Sequence, residues 1–466
     1  MSNNALEWAI ETFEDAALGD PRRTNRLIQI ASLYAQNIGS STVECCDGDT
    51  AQIEGAYRFL RNDQISPEAI REGGISSTAR KLKHENTLLA IEDTTTVSYK
   101  HAAATELGYT SNSPTAKTKG FHVHSILLLS AKSERTVGLI EQNWFCRDNK
   151  AYGKSKKKAV RDYHEKESYK WEYSSRRMAD RLGEKISNVI SICDRDADIY
   201  DYLHYKLSNN QRFIVRAREN RSLDSSEEKL FEKVFSTQPL GIYEVFVKQK
   251  GGRKARTAKI QYYSSTLEIK LPKRTGKIDY PNKLRLNVVA AREKIAKGMD
   301  EPLNWIILTS EPVDSKESAR LVLKYYELRW RIEDYHKAWK SGAGVERLRL
   351  QSKDNLERGA SILAFIAVKL LQIREIALLK TEKISKNEFA NYVLGKDEWK
   401  VLWIAVEKSI PPKKPPTIEW VYFSLGKLGG WYDSKHTGII GWKALWKGWF
   451  RLMDKVEIYN DAKIYS

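Results

Sequence analysis

The chain has 466 residues, 41% of them hydrophobic, which is enough for roughly two or three domains and excludes a largely disordered protein. It carries 78 Lys and Arg against 60 Asp and Glu, and the resulting formal charge of +18 favours a polyanionic partner. Its 4 cysteines include no CxxC pair, which argues against a disulfide framework and a structural zinc site. The sequence suggests neither a membrane span nor a signal peptide, so we expect a cytoplasmic protein without a membrane partner.

Residues 1–66 are predicted to form a helical module. The segments ALEWAIETFEDAAL, TNRLIQIASLYAQNI and EGAYRFLRND each repeat apolar residues at helical spacing, with polar turns between them. The arginines of DPRRTNR (20–26), together with Arg58 and Arg61, would be exposed on such a module, which suits DNA binding. An ordinary helical cap over the next domain is equally compatible with these residues.

From about residue 87 the pattern changes to strands and predicts an α/β domain. Three strands close in sequence suggest an antiparallel meander, and a strand, a helix and another strand follow. This order predicts a mixed sheet with flanking helices. The strands are expected in TLLAIEDTTTVSY (87–99), GFHVHSILLLS (120–130), TVGLIEQNWFC (136–146), the start of NVISICDRDADIYDYLHYKL (188–207) and RFIVRARE (212–219).

A β-rich insertion is predicted from about residue 224 to 310, where short alternating runs are separated by turn residues. Two of these runs, TAKIQYY (257–263) and TLEIKL (266–271), are predicted as separate strands. The remainder of the chain is predicted to be largely helical, and its last helix carries tryptophans at helical spacing.

One unbroken helix is predicted over 315–341, because the segment YYELRWRIEDYHKAWK (325–340) lacks glycine and proline. At about 100° per residue, this helix has a polar stripe opposite an apolar one. A lone carboxylate between cations could hold a metal ion while the cations hold phosphates, which indicates metal-dependent chemistry on nucleic acid. The polar stripe contains Tyr326, Arg329, Glu333, Lys337 and Lys340, and the apolar stripe contains Leu321, Leu328, Ile332, Tyr335 and Trp339.

Two further acids follow apolar strands and could join Glu333. Asp93 lies at the end of the first apolar strand, and Asp194 lies at the end of the fourth. Three converging carboxylates suit one or two Mg²⁺ ions, which in a two-metal site lie about 3.5–4 Å apart. Spacing alone leaves Glu92, Asp196 and Asp198 as alternatives.

The arrangement Y-x2-R-x3-E-x6-K at 326–340 resembles the signature of bacterial insertion-sequence DDE transposases of the cut-and-paste, hairpin-forming kind. The resemblance implies an RNase H-like catalytic core at 67–375 that contains the β insertion. It also implies a helical DNA-end-binding domain at 1–66 and a helical dimerisation domain at 376–466. Much of 381–416 departs from the family pattern. The matching motifs are LGDPRRTNRL (18–27), EGAYRFLRN (54–62), LLAIEDTT (88–95), SNVISICDRDADI (187–199), NWIILTSEP (304–312), RWRIEDYHKAWKSGAG (329–344), DNLERGASIL (354–363) and GGWYDSKHTGI (429–439).

The resemblance also implies roles for individual residues. Asp93, Asp194 and Glu333 correspond to the catalytic, metal-binding triad of the family. Trp305 corresponds to the aromatic residue on which the family stacks a flipped base, although its alternating strand alone would suggest a core tryptophan. The other DNA contacts implied by the resemblance or by the shared stripe are Tyr326, Arg329, Lys337, Lys340, Arg216, Trp330, Arg26 and Arg58.

The activity implied by the resemblance is cut-and-paste transposition. A homodimer would bind double-stranded transposon ends with inverted repeats, cut them through a hairpin intermediate and join their 3′-OH ends to target DNA. Mg²⁺, replaceable by Mn²⁺, would act as a pair of ions in each active site, and the protein would be associated with a bacterial nucleoid. The alternatives are a catalytically inactive DNA-binding derivative of a transposase and a structure-selective nuclease without strand transfer.

Overall fold

The computed structural model contains α-helices α1–α14 and strands β1–β10 in the parts of the chain that it describes. None of these helices is both long and apolar enough to cross a membrane. The described residues are 5–84, 86–111, 118–147, 162–224, 226–247, 256–273, 280–294, 302–378, 390, 394, 396–432 and 440–464. The helices are α1 (Ala5–Phe13), α2 (Pro21–Gln36), α3 (Thr42–Cys45), α4 (Thr50–Leu60), α5 (Pro67–Arg80), α6 (Lys170–Leu182), α7 (Tyr200–Ser208), α8 (Leu230–Phe235), α9 (Lys316–Glu327), α10 (Trp330–Lys337), α11 (Lys353–Leu378), α12 (Lys396–Glu407), α13 (Ile418–Leu428) and α14 (Trp442–Ile464). The strands are β1 (Leu88–Tyr99), β2 (Gly108–Tyr109), β3 (Lys119–Ser130), β4 (Thr136–Phe145), β5 (Val189–Cys193), β6 (Arg212–Arg216), β7 (Gly241–Val247), β8 (Arg256–Lys270), β9 (Lys283–Glu293) and β10 (Asn304–Thr309).

The strands form one mixed sheet, which confirms the predicted α/β arrangement. Their order is β2-β3-β1-β5-β6-β10-β9-β8-β7, and β4 also pairs with β3. The pairs β1–β5 and β5–β6 are parallel, and the pairs on either side of them are antiparallel. The parallel strands therefore lie in the middle of the sheet, where helices can cover both of their faces.

The predicted β insertion extends this same sheet. Strand β10 pairs with β6, and β9, β8 and β7 follow outward in that order. The prediction of two strands at 257–263 and 266–271 is wrong, because both runs belong to the single strand β8. Ser264 and Ser265, which resemble a turn in the sequence, continue the ladder with β9, and the Ser264 hydroxyl donates to the Val313 carbonyl oxygen at 2.9 Å.

Alternating residues of the central strands feed two separate apolar cores, one on each face of the sheet. The larger core also includes buried residues of α10 and α11, whereas the smaller one includes residues of α6, α7 and α8. Ile91, Ile192, Ile214 and Ile307 face the larger core, and Cys193, Phe213, Val215 and Leu308 face the smaller one. The central strands are thus covered by helices on both sides.

The N-terminal and C-terminal helices both pack around α11. The Phe13 ring contacts Phe365 edge to face, with 5.6 Å between the ring centroids. The Trp446 indole donates to the Ala35 carbonyl oxygen at 2.6 Å, which joins α14 to α2. Of the segment 381–416, which departs from the family pattern, residues 381–389, 391–393 and 395 lie outside the described residues.

Arg358 on α11 anchors the N-terminal helices. Its guanidinium donates to the carbonyl oxygens of Ile65 at 2.7 Å and Leu60 at 3.0 Å, and to the Asn355 side chain at 2.9 Å. The Arg358 side chain is only 2% exposed. The end of α4 and the segment that leads into α5 are therefore held by one buried cation.

The predicted unbroken helix is wrong, since it divides into α9 and α10. The N–H groups of Leu328 and Arg329 donate three residues back, to the carbonyl oxygens of Tyr325 and Tyr326, so the turn tightens without glycine or proline. This change of pitch shifts the phase of the two stripes. Leu321, predicted to face the core, is 43% exposed, and Tyr326, predicted on the polar stripe, is buried. Ile332, Tyr335 and Trp339 are buried as predicted.

Candidate active site

Strands β1 and β5 bring Asp93 and Asp194 side by side. The parallel register places Ile91 opposite Ile192, so the residues two positions further along each strand lie at the same level and on the same face. Asp93 does not end its strand, as the sequence suggested, because β1 continues to Tyr99. It is β5 that ends here, and the two carboxylates stand where the parallel pairing stops.

The next two strands continue this face with a cation and an aromatic ring. Ile192 is opposite Ile214 of β6, so Arg216 shares the face of Asp194. Arg216 is in turn opposite Ile307 of β10, and Trp305 lies two residues from Ile307 on that same face. Trp305 is half-buried against the larger core.

Helix α10 packs against β1 and brings Glu333 to this group of acids. One Arg329 nitrogen lies 3.8 Å from the Asp93 carboxylate, and the other donates to Glu333 at 2.9 Å. Asp194 accepts a hydrogen bond from the Asp196 backbone N–H at 2.8 Å, which orients its carboxylate. The structure thus brings together Asp93, Asp194 and Glu333, with Arg329 between two of them.

The acids affect one another electrostatically. Burial and the neighbouring Asp194 and Glu333 carboxylates raise the pKa of Asp93 to about 6. The Thr94 N–H, which donates to Asp93 at 2.7 Å, and the Arg329 guanidinium oppose this rise in pKa. Negative charge is therefore concentrated here beyond what one arginine neutralises.

Tyr326 and Arg216 form the rim of the site on the β6 side. The Arg216 guanidinium donates to the Asn304 carbonyl oxygen at 3.0 Å and lies near the Tyr326 hydroxyl. Burial raises the pKa of Tyr326, and the nearby Arg329 and Arg216 counteract part of that rise. Arg216 is thereby held between α9 and β10, next to the acids.

Three other residues predicted to contact DNA lie on α10 or on the turn that follows it. Lys340 is half-buried in a π-helical turn (Ala338–Gly342), where burial lowers its pKa and the Glu346 carboxylate opposes the change. Lys337 is exposed, and Trp330 is 56% exposed with the Arg329 guanidinium 5.1 Å from its ring centre. Two cations, Lys337 and Lys340, and one exposed aromatic ring, Trp330, therefore lie on the same helical segment as Glu333.

Arg26 and Arg58 lie on the N-terminal helices α2 and α4. The Arg26 guanidinium packs against Gly55, where an added Cβ would come within 2.8 Å of it. Arg58 projects to solvent with its side chain 82% exposed, and Glu54 lies 3.9 Å away. Arg26 and Arg58 therefore lie in the N-terminal helical segment, far in sequence from Asp93, Asp194 and Glu333.

The other acids that spacing left open, Glu92, Asp196 and Asp198, have different surroundings from Asp93, Asp194 and Glu333. Glu92 points to the opposite face of β1, fully buried, with one oxygen 3.6 Å from the His124 imidazole. Asp198 is buried and accepts from Arg221 at 3.0 Å and from two backbone N–H groups, which indicates a structural role. Asp196 is exposed to solvent. Both faces of β1 are buried near Asp93, so alternation in the sequence could not distinguish Glu92 from Asp93.

The chemistry of the three acids suits a divalent cation, since carboxylate oxygens are the ligands that Mg²⁺ and similar ions prefer. Within the described ranges, no three acidic, histidine or cysteine side chains already lie close enough together to enclose a metal ion. Arg329 ion-pairs with Asp93 and Glu333 instead. The repulsion that raises the pKa of Asp93 is what a divalent cation would relieve, and on that ground the acids fit one.

One positioning contact had no signal in the sequence. Arg331, on the side of α10 away from Asp93, donates to the buried Glu375 carboxylate of α11 at 2.8 Å. The Thr136 hydroxyl and N–H donate to the same carboxylate at 2.6 and 2.8 Å. These bonds join α10, α11 and β4, so they set the orientation in which α10 presents Glu333.

Replacing Asp93 with asparagine should stabilise the protein when a chelator removes divalent ions. Because the pKa of Asp93 is raised in the folded state, its contribution to stability is present at pH values below its unfolded pKa and lost as pH rises through about 6. With 23% of the side chain exposed, we expect Asp93→Asn to raise the free energy of unfolding by roughly 2 kcal/mol at pH 8 and by little at pH 4. Urea denaturation at both pH values measures this, with the exposed Asp461→Asn as control. A gain of equal size at both pH values would contradict the proposed repulsion.

Two protein-family models match the chain. The model described as transposase DNA-binding matches residues 5–65, and the model described as transposase DDE domain matches residues 93–369. The second match covers more than half of the 466 residues, begins at Asp93 and includes Asp194, Arg216 and Glu333. DDE transposase domains generally use divalent metal ions. The chain therefore belongs to the DDE transposase family, as a DNA transposase whose DNA-binding segment precedes its catalytic domain.

Proposed function

We propose that this transposase works by a cut-and-paste route in which each transposon end passes through a DNA hairpin. The observation that carries the proposal is the shared sheet face on which Asp93, Asp194, Arg216 and Trp305 follow one another across four neighbouring strands. Acids for phosphodiester chemistry, a cation for phosphate and a ring for a base are thereby aligned in one row.

The three acids have the same role in every step. Asp93, Asp194 and Glu333 would hold divalent ions, with Mg²⁺ the expected species and Mn²⁺ a substitute, and a bound pair would activate the attacking oxygen and stabilise the leaving one. Binding would release Arg329 from its ion pairs with the acids, so that its guanidinium could hold the DNA phosphate beside them. A water oxygen first displaces the 3′ oxygen of the transposon strand. The freed 3′-OH would then attack the phosphodiester of the opposite strand and displace the 3′ oxygen of the flanking DNA, which closes the hairpin on the transposon end.

The cations around the acids would position the transposon's 5′ strand. The Asn304 carbonyl oxygen of β10 holds the Arg216 guanidinium beside Tyr326 of α9. A phosphate bound there would therefore meet donors that are already oriented. Lys340 and the exposed Lys337 extend the cationic stripe along α10 and the π-helical turn that follows it. Hydrolysis of the hairpin would reopen the end, and its 3′-OH would join target DNA on the same acids.

Trp305 would stack the base that leaves the duplex when the hairpin bends, and the exposed Trp330 would line the same pocket. Stacking on an aromatic ring is worth about 1–3 kcal/mol per base, which offsets part of the cost of unstacking. Half-burial fixes the Trp305 ring against the sheet while leaving one side accessible.

Trp305→Ala should lower hairpin formation about tenfold while first-strand nicking continues, because only the hairpin step requires a flipped base. End-labelled DNA resolved on denaturing gels separates the nicked and hairpin products. Trp305→Phe keeps an aromatic face and should retain most of the hairpin yield. If nicking and hairpin formation fall in parallel in Trp305→Ala, the tryptophan supports the fold rather than the flipped base.

The organisation of the protein completes the proposal. The sheet around Asp93 and Asp194 would be an RNase H-like core, at 67–375, with the β insertion at about 224–310. Residues 1–66 would bind the transposon end through Arg26 and Arg58, and residues 376–466 would form a homodimer in the complex of two ends. Within the family, we propose that the protein is most similar to the transposase of the kanamycin-resistance composite transposon. The motifs from 18–27 to 429–439 resemble those of that transposase and occur in the same order.

The decisive experiment combines purified protein, Mg²⁺ and DNA that carries the element's own inverted repeats. Nicks, hairpins, flush ends and strand-transfer products, appearing in that order, are expected. Binding without any cleavage would identify an inactive DNA-binding derivative instead. Cleavage without strand transfer would identify a structure-selective nuclease.

A further inference from the structure

A cavity lies between α1, α5, β4 and α11, and Asp93, Asp194 and Glu333 do not line it. Its volume is about 300 Å³, at the small end of the range for ligand pockets. The charged groups that line it are Glu11, Lys81, Arg135, Lys369 and Glu375. The cavity thus lies where the DNA-binding segment meets the DDE domain.

Lys369 is the unusual group in this cavity. Its side chain is only 4% exposed, and it makes no hydrogen bond or ion pair with any residue that the structure describes. Burial and the nearby Lys81 lower the pKa of Lys369 to about 8, while Glu11 opposes this. The ammonium nitrogen is accessible from the cavity although the residue as a whole is buried, and such a donor without a protein partner is available to a ligand.

The two acids in the cavity are already engaged. Glu11 lies 2.9 Å from the Lys81 ammonium, at the edge of the cavity. Glu375 accepts from Thr136 and from Arg331. Lys369 therefore keeps its capacity to bind an anion.

The other polar lining groups are also occupied as donors. The hydroxyls of Thr12, Ser77 and Thr78 each donate to a backbone carbonyl oxygen, and the Gln372 amide donates to the Thr136 and Val137 carbonyls. The exposed Arg135 guanidinium, by contrast, has no hydrogen bond or ion pair within the described part of the chain. Donors for a ligand thus come from Lys369 inside the cavity and Arg135 at its rim.

We propose that this cavity binds a small phosphate-class anion, held by Lys369 from within and by Arg135 at the mouth. A free anion fits better than a DNA backbone phosphate, because Lys369 is too deeply buried to reach a duplex. The ligand would contact α1, α5, β4 and α11 at once, so it would stiffen the junction between the two matched segments of the chain. Binding at this site is independent of DNA cleavage.

Thermal unfolding of the full chain in inorganic phosphate, compared with chloride at equal ionic strength, tests the proposal. Phosphate should raise Tm in a saturable way by roughly 3 °C at high occupancy, since a ligand that binds only the folded state stabilises it. Lys369→Met should raise Tm in chloride, because it removes the buried charge, and should abolish the phosphate increment. Lys316→Met, an exposed lysine at the start of α9, should keep the wild-type increment.

Direct binding of ³²P-phosphate by equilibrium dialysis gives a second readout. Arg135→Gln, a surface change that leaves folding intact, should weaken phosphate binding several-fold. A duplex oligonucleotide should not displace the phosphate. Equal Tm increments in wild type and Lys369→Met would show a general salt effect and overturn the proposal. Displacement by the duplex would assign the cavity to DNA instead.

Discussion

Asp93→Ala should abolish nicking, hairpin formation and strand transfer together, while the protein still binds transposon-end DNA. Asp93 is the acid most strongly coupled to the others, since Asp194 and Glu333 both raise its pKa and Arg329 is paired with it. A divalent ion in a phosphoryl-transfer site contributes several kcal/mol, and each 1.36 kcal/mol is tenfold in rate. We therefore expect the single-turnover cleavage rate to fall by roughly a thousandfold or more.

Asp196→Ala provides the matched control, because Asp196 lies two residues from Asp194 in sequence and is exposed to solvent. Its cleavage rate should stay within about twofold of the wild type, since exposed ion pairs such as the one with Arg218 contribute little. Gel-shift assays on end DNA should show unchanged affinity for both variants. An Asp93→Ala protein that still cuts would remove Asp93 from the triad and reopen the assignment of the acids.

Arg358→Met should cause the largest loss of stability, about 3–5 kcal/mol in the free energy of unfolding. The substitution retains the aliphatic bulk but leaves the Leu60 and Ile65 carbonyl oxygens without the guanidinium that now bonds to them. Those carbonyls end α4 and begin the connection to the catalytic domain, so the N-terminal helices should separate from α11 first. Urea denaturation followed by tryptophan fluorescence measures the loss.

Arg22→Met is the control for Arg358→Met, because the Arg22 side chain is 90% exposed and pairs with Asp20 on the surface. Its effect should remain below about 1 kcal/mol. Limited proteolysis adds a regional readout, with earlier cleavage between α4 and α5 in Arg358→Met. If the two arginine variants lose the same stability, the buried contacts of Arg358 do not anchor the N-terminal helices.

The convergence of the acids was predictable because it depends on local patterns. Asp194 directly follows the apolar strand β5, and the parallel register of β1 and β5 brings Asp93 level with it. The choice of Asp93 over the adjacent Glu92 came from the family resemblance, because both faces of β1 are buried there. Glu333 stands on a helix whose apolar positions Ile332, Tyr335 and Trp339 are buried as expected. Hydrophobic period and strand endings are encoded within a few residues, so they can be recognised in a single sequence.

Features that depend on distant partners were not predictable. Glu375 holds Arg331 from another helix, and Arg358 bonds to backbone oxygens of a segment far earlier in the chain. The tightened turn before Arg329 contains no glycine or proline, so it comes from packing rather than from local preference. Serine is common in turns, so the sequence suggested a break at Ser264 and Ser265. Pairing with β9, which lies later in the chain, keeps both residues in an extended strand.

The unbroken sheet determines which partner in the complex has to change shape. Asp194 and Trp305 are separated by two strand spacings, roughly 10 Å, across the sheet and by a further two residues along β10, and backbone hydrogen bonds through β6 hold that separation. If Asp194 cuts the DNA and Trp305 stacks a base as proposed, the protein would act as a template of fixed dimensions, because both residues lie on one continuous sheet. The DNA duplex, rather than the protein, would then have to bend. The sequence of base pairs that no side chain contacts would therefore affect the cleavage rate, because base pairs differ in how readily they unstack and bend.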